Sequence, residues 1–181
     1  MEPVEINAGE HYLRAFRTDD RIDDVPVLAA VFADPVTARY ARIDGVTGAE
    51  GFVEMTTTGW EEDRSWSWAV CDAVSAEVVA GIVLHDIDAQ AGSARVTCWT
   101  HPARPDEDAL PTSLDAVLGW AFGAADLRRV VFRHPASDEA ARRLAQRCGF
   151  TPQGRLPGGE TADDQGVDEL VWSRTAEDRL P

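Results

Sequence analysis

Hydrophobic and polar positions change their spacing several times along the chain. Tyr12–Phe16 alternates as a strand does, and the apolar stretch Val25–Phe32 predicts a helix. Asp34-Pro35 is expected to end that helix, because proline cannot continue one. Thr47-Gly-Ala-Glu50 has the spacing of a capping box, which predicts a second helix running to about Glu62. Two helices should therefore precede the main sheet.

From Ser65 onwards the hydrophobic positions recur every second residue, as in a strand. Trp66 and Trp68 alternate with polar residues, and after a turn Val78–His85 predicts a mostly apolar second strand. A further turn follows, and Ala94–Thr100 then predicts a third strand. Strands joined by short turns pair as an antiparallel meander.

The second half of the chain returns to helical spacing and back. Thr112–Phe122 and Ser137–Cys148 predict helices; Arg129–Arg133, Thr151–Arg155 and Glu169–Arg174 predict strands, the last two around a Gly- and Asp-rich turn. The mixture indicates an α+β (mixed α/β) sheet in a single domain over residues 1–181. Residues 1–10 and 175–181 are expected to fray.

Composition limits the partners. The 181 residues carry a formal net charge of −15, which argues against binding nucleic acid or anionic membrane surfaces. A small cationic amine or a basic polypeptide suits this charge better, and the alternative is an acidic surface that only keeps the protein soluble. Four tryptophans predict core positions or, alternatively, an aromatic wall around an acceptor cation: Trp60, Trp66, Trp68 and Trp172.

Several reaction classes are disfavoured by the residues present. All 17 basic residues are arginine, so lysine Schiff-base chemistry and a phosphate-loop lysine are excluded. Cys71, Cys98 and Cys148 are widely spaced and form no zinc-binding pattern, which favours reduced thiols in the cytoplasm. The polar, acidic N-terminus and the lack of a long apolar run predict neither a targeting signal nor a membrane anchor.

Segments of the chain, in order and spacing, resemble the GNAT superfamily of N-acetyltransferases, in particular the ribosomal-protein-alanine acetyltransferase type. The resemblance covers roughly Tyr12 to Trp172 and implies the acyl-CoA N-acyltransferase fold. That fold has a central, mostly antiparallel twisted sheet of about six or seven strands flanked by about four helices. The similar segments are Leu13-Arg14, Asp34–Tyr40, Val79–Asp88, Trp120–Gly123, Leu127–Arg133 and Asp138–Phe150.

The resemblance implies acetyl-coenzyme A as the donor. In that family the strand similar to Ala94–Thr100 splays away from the strand similar to Arg129–Arg133, and the thioester arm lies in the gap. Backbone amides around Cys98, Trp99 and Thr100 would then bind the pantetheine and the acetyl carbonyl. The alternative is an ordinary half-buried strand with Trp99 in the core.

The loop that would hold the cofactor's pyrophosphate departs from the family pattern of Arg or Gln, two residues, Gly, one residue, then Gly or Ala. Arg104 and Ala109 fit it, but Glu107 occupies the central glycine position. In a register set from the following helix, Asp106 and Asp108 replace both glycines instead. Either alignment places carboxylates near the phosphate site.

Such carboxylates have two possible consequences. Two like unit charges about 4 Å apart repel by roughly 1 kcal/mol at the dielectric constant of water and roughly 4 kcal/mol at the effective dielectric constant near a protein surface. That repulsion corresponds to about one to three orders of magnitude in affinity. Alternatively, Asp106–Asp108 cap the helix that follows, since acidic residues stabilise a helix N-terminus by about 0.3–1 kcal/mol. In that case the protein's own carboxylates occupy the phosphate site.

Some side chains expected from the resemblance are replaced. The Asn-x-x-Ser signature reads Asp138-Glu-Ala-Ala141, which keeps Asp138 as a cofactor contact but lacks the hydroxyl. Gln153 stands where a glutamate base is found. The remaining catalytic candidates are Glu54, His85 and Cys98; Asp86, Asp88 and His101 also lie near strand ends. A surface histidine and a merely buried cysteine are the alternative interpretations.

The predicted function is transfer of an acetyl group from acetyl-CoA to an amine, either a protein N-terminus or a cationic small molecule. The alternative is a catalytically impaired protein of the same fold that acts as a binding or assembly partner. Other chemistry in the same cleft also stays open, because a fold does not fix a function. A homodimer is possible.

Overall fold

The structure is a computed structural model that describes residues 1–43, 45–158 and 166–178. The strands are β1 (Ile6–Ala8), β2 (His11–Arg14), β3 (Trp66–Asp72), β4 (Val78–Asp88), β5 (Ser93–Thr100), β6 (Arg129–Pro135), β7 (Thr151–Leu156) and β8 (Glu169–Thr175). The helices are α1 (Val25–Ala33), α2 (Pro35–Ala41), α3 (Ala49–Glu61), α4 (Ala109–Gly123) and α5 (Glu139–Arg147).

One mixed sheet organises these elements, in the order β1-β2-β3-β4-β5-β6-β8-β7. Neighbouring strands are antiparallel except β5 and β6, which run parallel. The predicted α+β class is confirmed, and so is the antiparallel meander β3–β5. The described residues form eight strands and five helices, slightly more than the predicted six or seven strands and four helices.

Both faces of the central strands are covered. β4 is buried over eight consecutive residues, as expected for a strand with packed layers on either side. Leu114 and Leu118 of α4 belong to the apolar cluster on one face, and Leu28 and Phe52 of α1 and α3 belong to the cluster on the other. The sheet is therefore held rigidly between two helical layers.

The helices before the main sheet differ from the prediction. Asp34-Pro35 ends α1, but it also starts α2: Asp34 Oδ1 accepts hydrogen bonds from the N–H groups of Val36 (3.0 Å) and Thr37 (2.8 Å), and Pro35 occupies the first turn. Three helices therefore precede β3. The predicted capping box does not form, because Gly48 is the N-cap of α3 and no side chain caps that helix.

The chain ends also differ from the expectation of fraying. Within residues 1–10, β1 pairs with β2, and the N-terminal ammonium of Met1 donates a hydrogen bond to the carbonyl of Trp60 (2.8 Å). β8 extends to Thr175, whose N–H donates to Asp178 (2.9 Å). Residues 179–181 and most of the predicted Gly- and Asp-rich turn, 159–165, lie outside the described residues.

The sheet splits at one point. β5 and β6 pair from Ser93 and Arg129 as far as Val96 and Phe132. Beyond that point β5 continues to pair only with β4, and β6 only with β8. The predicted divergence of these two strands is present, and it opens a cleft at the centre of the sheet.

Candidate functional site

A cavity of about 600 Å³ fills the cleft where β5 and β6 diverge. Its walls come from α2, the end of β5, Phe132 of β6, the loop before α4, the first turn of α4, and α5 as far as Arg147. Cys98, Trp99 and Thr100, all predicted to contact the cofactor, line it. The strand split therefore leaves a mostly apolar cavity beside the end of β5.

The backbone of β5 offers hydrogen bonds to this cavity. The N–H of His101 donates to Val79 O on β4 (2.8 Å). Along an antiparallel strand successive N–H groups point to opposite sides, so the N–H groups of Cys98 and Thr100 point away from β4. On that side β6 has already separated. The predicted amide contacts to a ligand arm therefore have the required direction.

A hydrogen bond between Tyr40 and Asp138 spans the cleft from α2 to α5. The Tyr40 hydroxyl donates to Asp138 Oδ2 (2.6 Å), while Asp138 Oδ1 accepts from the N–H of Ala141 (2.9 Å) and caps α5. Burial raises the pKa of Tyr40, and the hydrogen bond and charge of Asp138 raise it further. Tyr40 therefore presents a protonated phenol to the cavity.

Cys98 lies in the cavity wall as a thiol. Its side chain is buried, and burial raises the pKa of Cys98 well above its ordinary value. A thiol that holds its proton at neutral pH is a poor nucleophile. The position therefore agrees with the alternative interpretation of Cys98 as a small buried hydrophobe.

The acidic loop uses its own carboxylate at the N-terminus of α4. Asp106 Oδ1 accepts from the N–H groups of Asp108 (3.0 Å) and Ala109 (3.1 Å), and Asp106 Oδ2 lies 2.8 Å from His11 Nε2. The pKa of Asp106 is lowered, mainly by the hydrogen bond from His11 and further by the hydrogen bonds from the loop amides. Two amides that a glycine-rich loop would offer to a phosphate are therefore occupied.

Glu107 of the same loop also lines the cavity, but three other loop residues do not. Arg104 forms an ion pair with Glu77, Asp108 caps no amide but pairs with Arg147 (2.9 Å), and neither lines the cavity. Ala109 is buried and does not line it either. The predicted cofactor contacts Arg104, Asp108 and Ala109 therefore lie outside the cavity wall, and the two charged side chains are held in ion pairs with Glu77 and Arg147.

Arginines of α5 face the same end of the cavity. Arg143 and Arg147 stand one turn apart on α5 and line the cavity beside the acidic loop. Within residues 1–43, 45–158 and 166–178, the Arg143 side chain has no ion pair or hydrogen bond, whereas Arg147 pairs with Asp108 (2.9 Å). The cations that could meet a phosphate therefore come from α5 and not from the loop.

A second cavity of about 240 Å³ adjoins the first, and Tyr40 lines both. His85 lies in its wall, 6% exposed, with Nε2 2.8 Å from Thr97 Oγ1 and Nδ1 3.4 Å from Asp86 Oδ2. Of the predicted catalytic residues, His85 therefore lines the second cavity and not the large one. Glu54 is exposed on α3 and lines neither cavity.

The remaining candidates have structural roles. His101 Nδ1 accepts from the N–H of Ala103 (3.1 Å), and Asp88 Oδ1 accepts from the N–H of Ala91 (2.8 Å) in a turn. The alternative of a tryptophan wall is wrong, since none of its four members lines either cavity: Trp60, Trp66, Trp68 and Trp172 are buried in the core.

The family follows from a match over most of the chain. A family model described as an acetyltransferase (GNAT) domain matches residues 12–151. The chain belongs to the GNAT acetyltransferase family. It is an acyltransferase of that family. The cleft results from the divergence of β5 and β6, which the resemblance to GNAT proteins predicted. A comparison with curated proteins finds no match.

Solved structures share the GNAT fold at low sequence identity. The ribosomal-protein-S5-alanine acetyltransferase from Vibrio fischeri is 14% identical, with a TM-score of 0.76 over 98% of this chain and 100% of that one. RimJ from Mycobacterium smegmatis, in complex with CoA-disulfide, is 18% identical, with a TM-score of 0.78 over 99% and 88%. The microcin C7 self-immunity acetyltransferase MccE, in complex with acetyl-CoA and AMP, is 14% identical, with a TM-score of 0.74 over 92% of each chain.

Some site residues were not predicted. Tyr40 lies within a segment that resembles GNAT sequences, but its partner Asp138 is 98 positions away, so no local pattern links them. Arg143 and Arg147 could have been found, because a spacing of four places both on one face of α5.

Two classes of feature are absent from the described ranges. No group of three or more His, Cys, Asp or Glu side chains there is arranged to hold a metal ion. None of the helices in the described part of the chain is both long and apolar enough to cross a membrane.

Proposed function

We propose that this GNAT protein transfers the acetyl group of acetyl-CoA to a primary amine. The observation that carries the proposal is the divergence of β5 and β6 beyond Val96 and Phe132, which leaves the amides of Cys98 and Thr100 directed into an open cavity. A thioester arm laid along β5 can take those amides in place of a neighbouring strand. RimJ and MccE, with CoA-disulfide and acetyl-CoA bound, support this donor.

The phosphates of the donor are assigned to the arginines of α5. Arg143 supplies an unpaired guanidinium group among the described residues, and Arg147 supplies a second one that a phosphate would share with Asp108. Arginine binds phosphate oxygens through charge-assisted, often bidentate hydrogen bonds. Asp106 opposes this contact, so we expect binding to be weak compared with a glycine-rich loop.

Two side chains are assigned to proton transfer. The neutral amine nitrogen forms a bond to the acetyl carbon, and the carbon–sulfur bond breaks with its electron pair on sulfur. Tyr40 donates its phenolic proton to the sulfur, replacing the hydroxyl that Ala141 lacks. His85, in the adjoining cavity, accepts the proton that the amine nitrogen loses. The protonated His85 then releases that proton to solvent, and a proton from solvent restores the Tyr40 phenol.

A cavity-filling variant tests the proposal. Ala140 is exposed on α5 and lines the large cavity, so Ala140→Trp should block the donor without disturbing the core. We expect the wild-type chain to release thiol from acetyl-CoA in the presence of primary amines. The rate of release should be at least tenfold lower in Ala140→Trp. Ala29→Trp is the matched control, because Ala29 is an exposed helical alanine that lines neither cavity. Equal rates in the two variants would contradict the proposed donor site.

One observation favours a second candidate function, a binding or assembly protein that has lost acetyl transfer. Asp106 already occupies two amides at the N-terminus of α4, so the fold is complete there without a phosphate. The same assay separates the two functions. Absence of thiol release with every amine, together with an unchanged melting temperature at millimolar acetyl-CoA, would favour this candidate.

A further inference from the structure

The second cavity has a local charge opposite to that of the whole chain. Four arginines line it, against two carboxylates: Arg39, Arg42, Arg95 and Arg133 face Asp86 and Glu169. The chain as a whole has 32 acidic and 17 basic residues. Carboxylates are therefore abundant, yet basic side chains predominate around this one cavity.

Most of these arginines lack an acidic partner. Arg95 pairs with Asp86 (2.8 Å). Across the described parts of the chain, no ion pair involves Arg39, Arg42 or Arg133. The Arg133 Nε atom is also buried without a hydrogen-bond partner among those residues, which is costly for a charged donor. An anion in the cavity would satisfy these groups.

The position of the cavity relates it to the reaction. Tyr40 forms part of its wall and of the donor cleft, and His85 and Thr97 line the second cavity together with the arginines. A molecule whose anionic end binds the arginines can therefore extend its other end past Tyr40 towards the thioester. About 240 Å³ suffices for a small molecule only.

We propose that the acceptor is a small amine that carries an anionic group, a carboxylate or a phosphate, bound by Arg39, Arg42 and Arg133. This inference rests on the proposed acetyl transfer and names its substrate class. It replaces the expectation of a cationic acceptor, which was based on the net charge. The charge that matters for recognition is that of the cavity, because salt screens the remaining surface over about 8 Å.

Matched amines test the inference and separate the two anions. Thiol release from acetyl-CoA would be measured with glycine and glycinamide, and with O-phosphoethanolamine and ethanolamine, alongside the polycation spermidine. We expect kcat/KM to be at least about tenfold higher for the anionic member of one pair than for its neutral partner. A hydrogen bond between a cavity arginine and the anionic group is expected to contribute a difference of this size. The first pair reports a carboxylate site and the second a phosphate site.

Substitutions on one strand locate the anion. Arg133→Gln should lower the anionic-to-neutral ratio of kcat/KM at least about tenfold. Arg129→Gln is the matched control, since Arg129 is an exposed arginine of β6 outside the cavity, and it should leave that ratio unchanged. Preference for neutral amines or spermidine, or equal ratios in the two variants, would overturn the inference.

Calorimetry with O-phosphoethanolamine and glycine separates this inference from the proposed function. No thiol release with any amine would overturn the proposed acetyl transfer. Binding that Arg133→Gln abolishes and Arg129→Gln retains would still support an anion site in that case. Lack of any Arg133-dependent binding, together with active transfer to neutral amines, would overturn the anion site alone.

Discussion

At the scale of single residues, Tyr40 lines both cavities, which no other described residue does, and its raised pKa keeps the phenol protonated at neutral pH. Tyr40→Phe removes that proton and keeps the ring. We expect kcat for thiol release to fall by about 10²- to 10⁴-fold, the usual contribution of general acid catalysis.

Tyr12→Phe is the matched control, because Tyr12 is the other tyrosine of the chain and packs in the core beside α1–α3. Its kcat should stay within about twofold of wild type. Equal rates in the two variants would show that Tyr40 donates no proton in the rate-limiting step.

We expect Asp106 to weaken binding of the donor, because its carboxylate lines the cavity at the proposed phosphate end. Asp106→Asn keeps an oxygen that can accept from the N–H groups of Asp108 and Ala109, but it removes the negative charge. We expect acetyl-CoA to bind about tenfold or more tightly, since the repulsion of roughly 1 to 4 kcal/mol disappears.

The control for this change is Asp88→Asn. Asp88 also accepts a turn amide, from Ala91, and it lies outside both cavities. Calorimetric dissociation constants for acetyl-CoA that shift equally in Asp106→Asn and Asp88→Asn would attribute the effect to net charge and not to the loop.

At the scale of elements, a buried ion pair fixes α1 against β2. Arg14 donates to both oxygens of Asp24 (2.7 and 2.8 Å), and both residues are at least 95% buried. Burial by itself would lower the pKa of Arg14, but the hydrogen bonds and charge of Asp24 outweigh it and raise the pKa. Arg14 therefore stays charged and depends on Asp24.

Asp24→Ala leaves that charge buried without its partner. We expect the free energy of unfolding to fall by about 3–5 kcal/mol, measured by chemical denaturation. Glu62→Ala is the comparison, because Glu62 pairs with Arg64 on the surface and should cost less than about 1 kcal/mol. Similar losses in both variants would mean that the Arg14–Asp24 pair does not hold α1.

Local patterns predicted the elements with clear periodicity. The alternation around Trp66 and Trp68 predicted β3, and the strand divergence of the GNAT resemblance predicted the cleft. β1 was not predicted, because its three residues are too few to show a period. α2 was not predicted, because Pro35 indicates the end of a helix, although proline also suits the first turn of a new one.

At the scale of the whole molecule, the site is assembled by contacts that no local pattern contains. The second cavity takes arginines from α2, β5 and β6, which are far apart in sequence and meet only through the sheet order. The cationic acceptor was predicted from the net charge of the whole chain, whereas the anionic acceptor is proposed from the side chains that line one cavity. The acidic loop was recognised from the sequence, but only the structure shows which backbone amides donate hydrogen bonds to Asp106.

The central claim is that acetyl-CoA enters the cleft between β5 and β6. Calorimetric titration of the wild-type chain with acetyl-CoA tests it most directly. We expect heat that fits one site per chain and saturates by millimolar cofactor, with a matching rise in melting temperature. No heat and no thermal shift at millimolar acetyl-CoA would contradict the account.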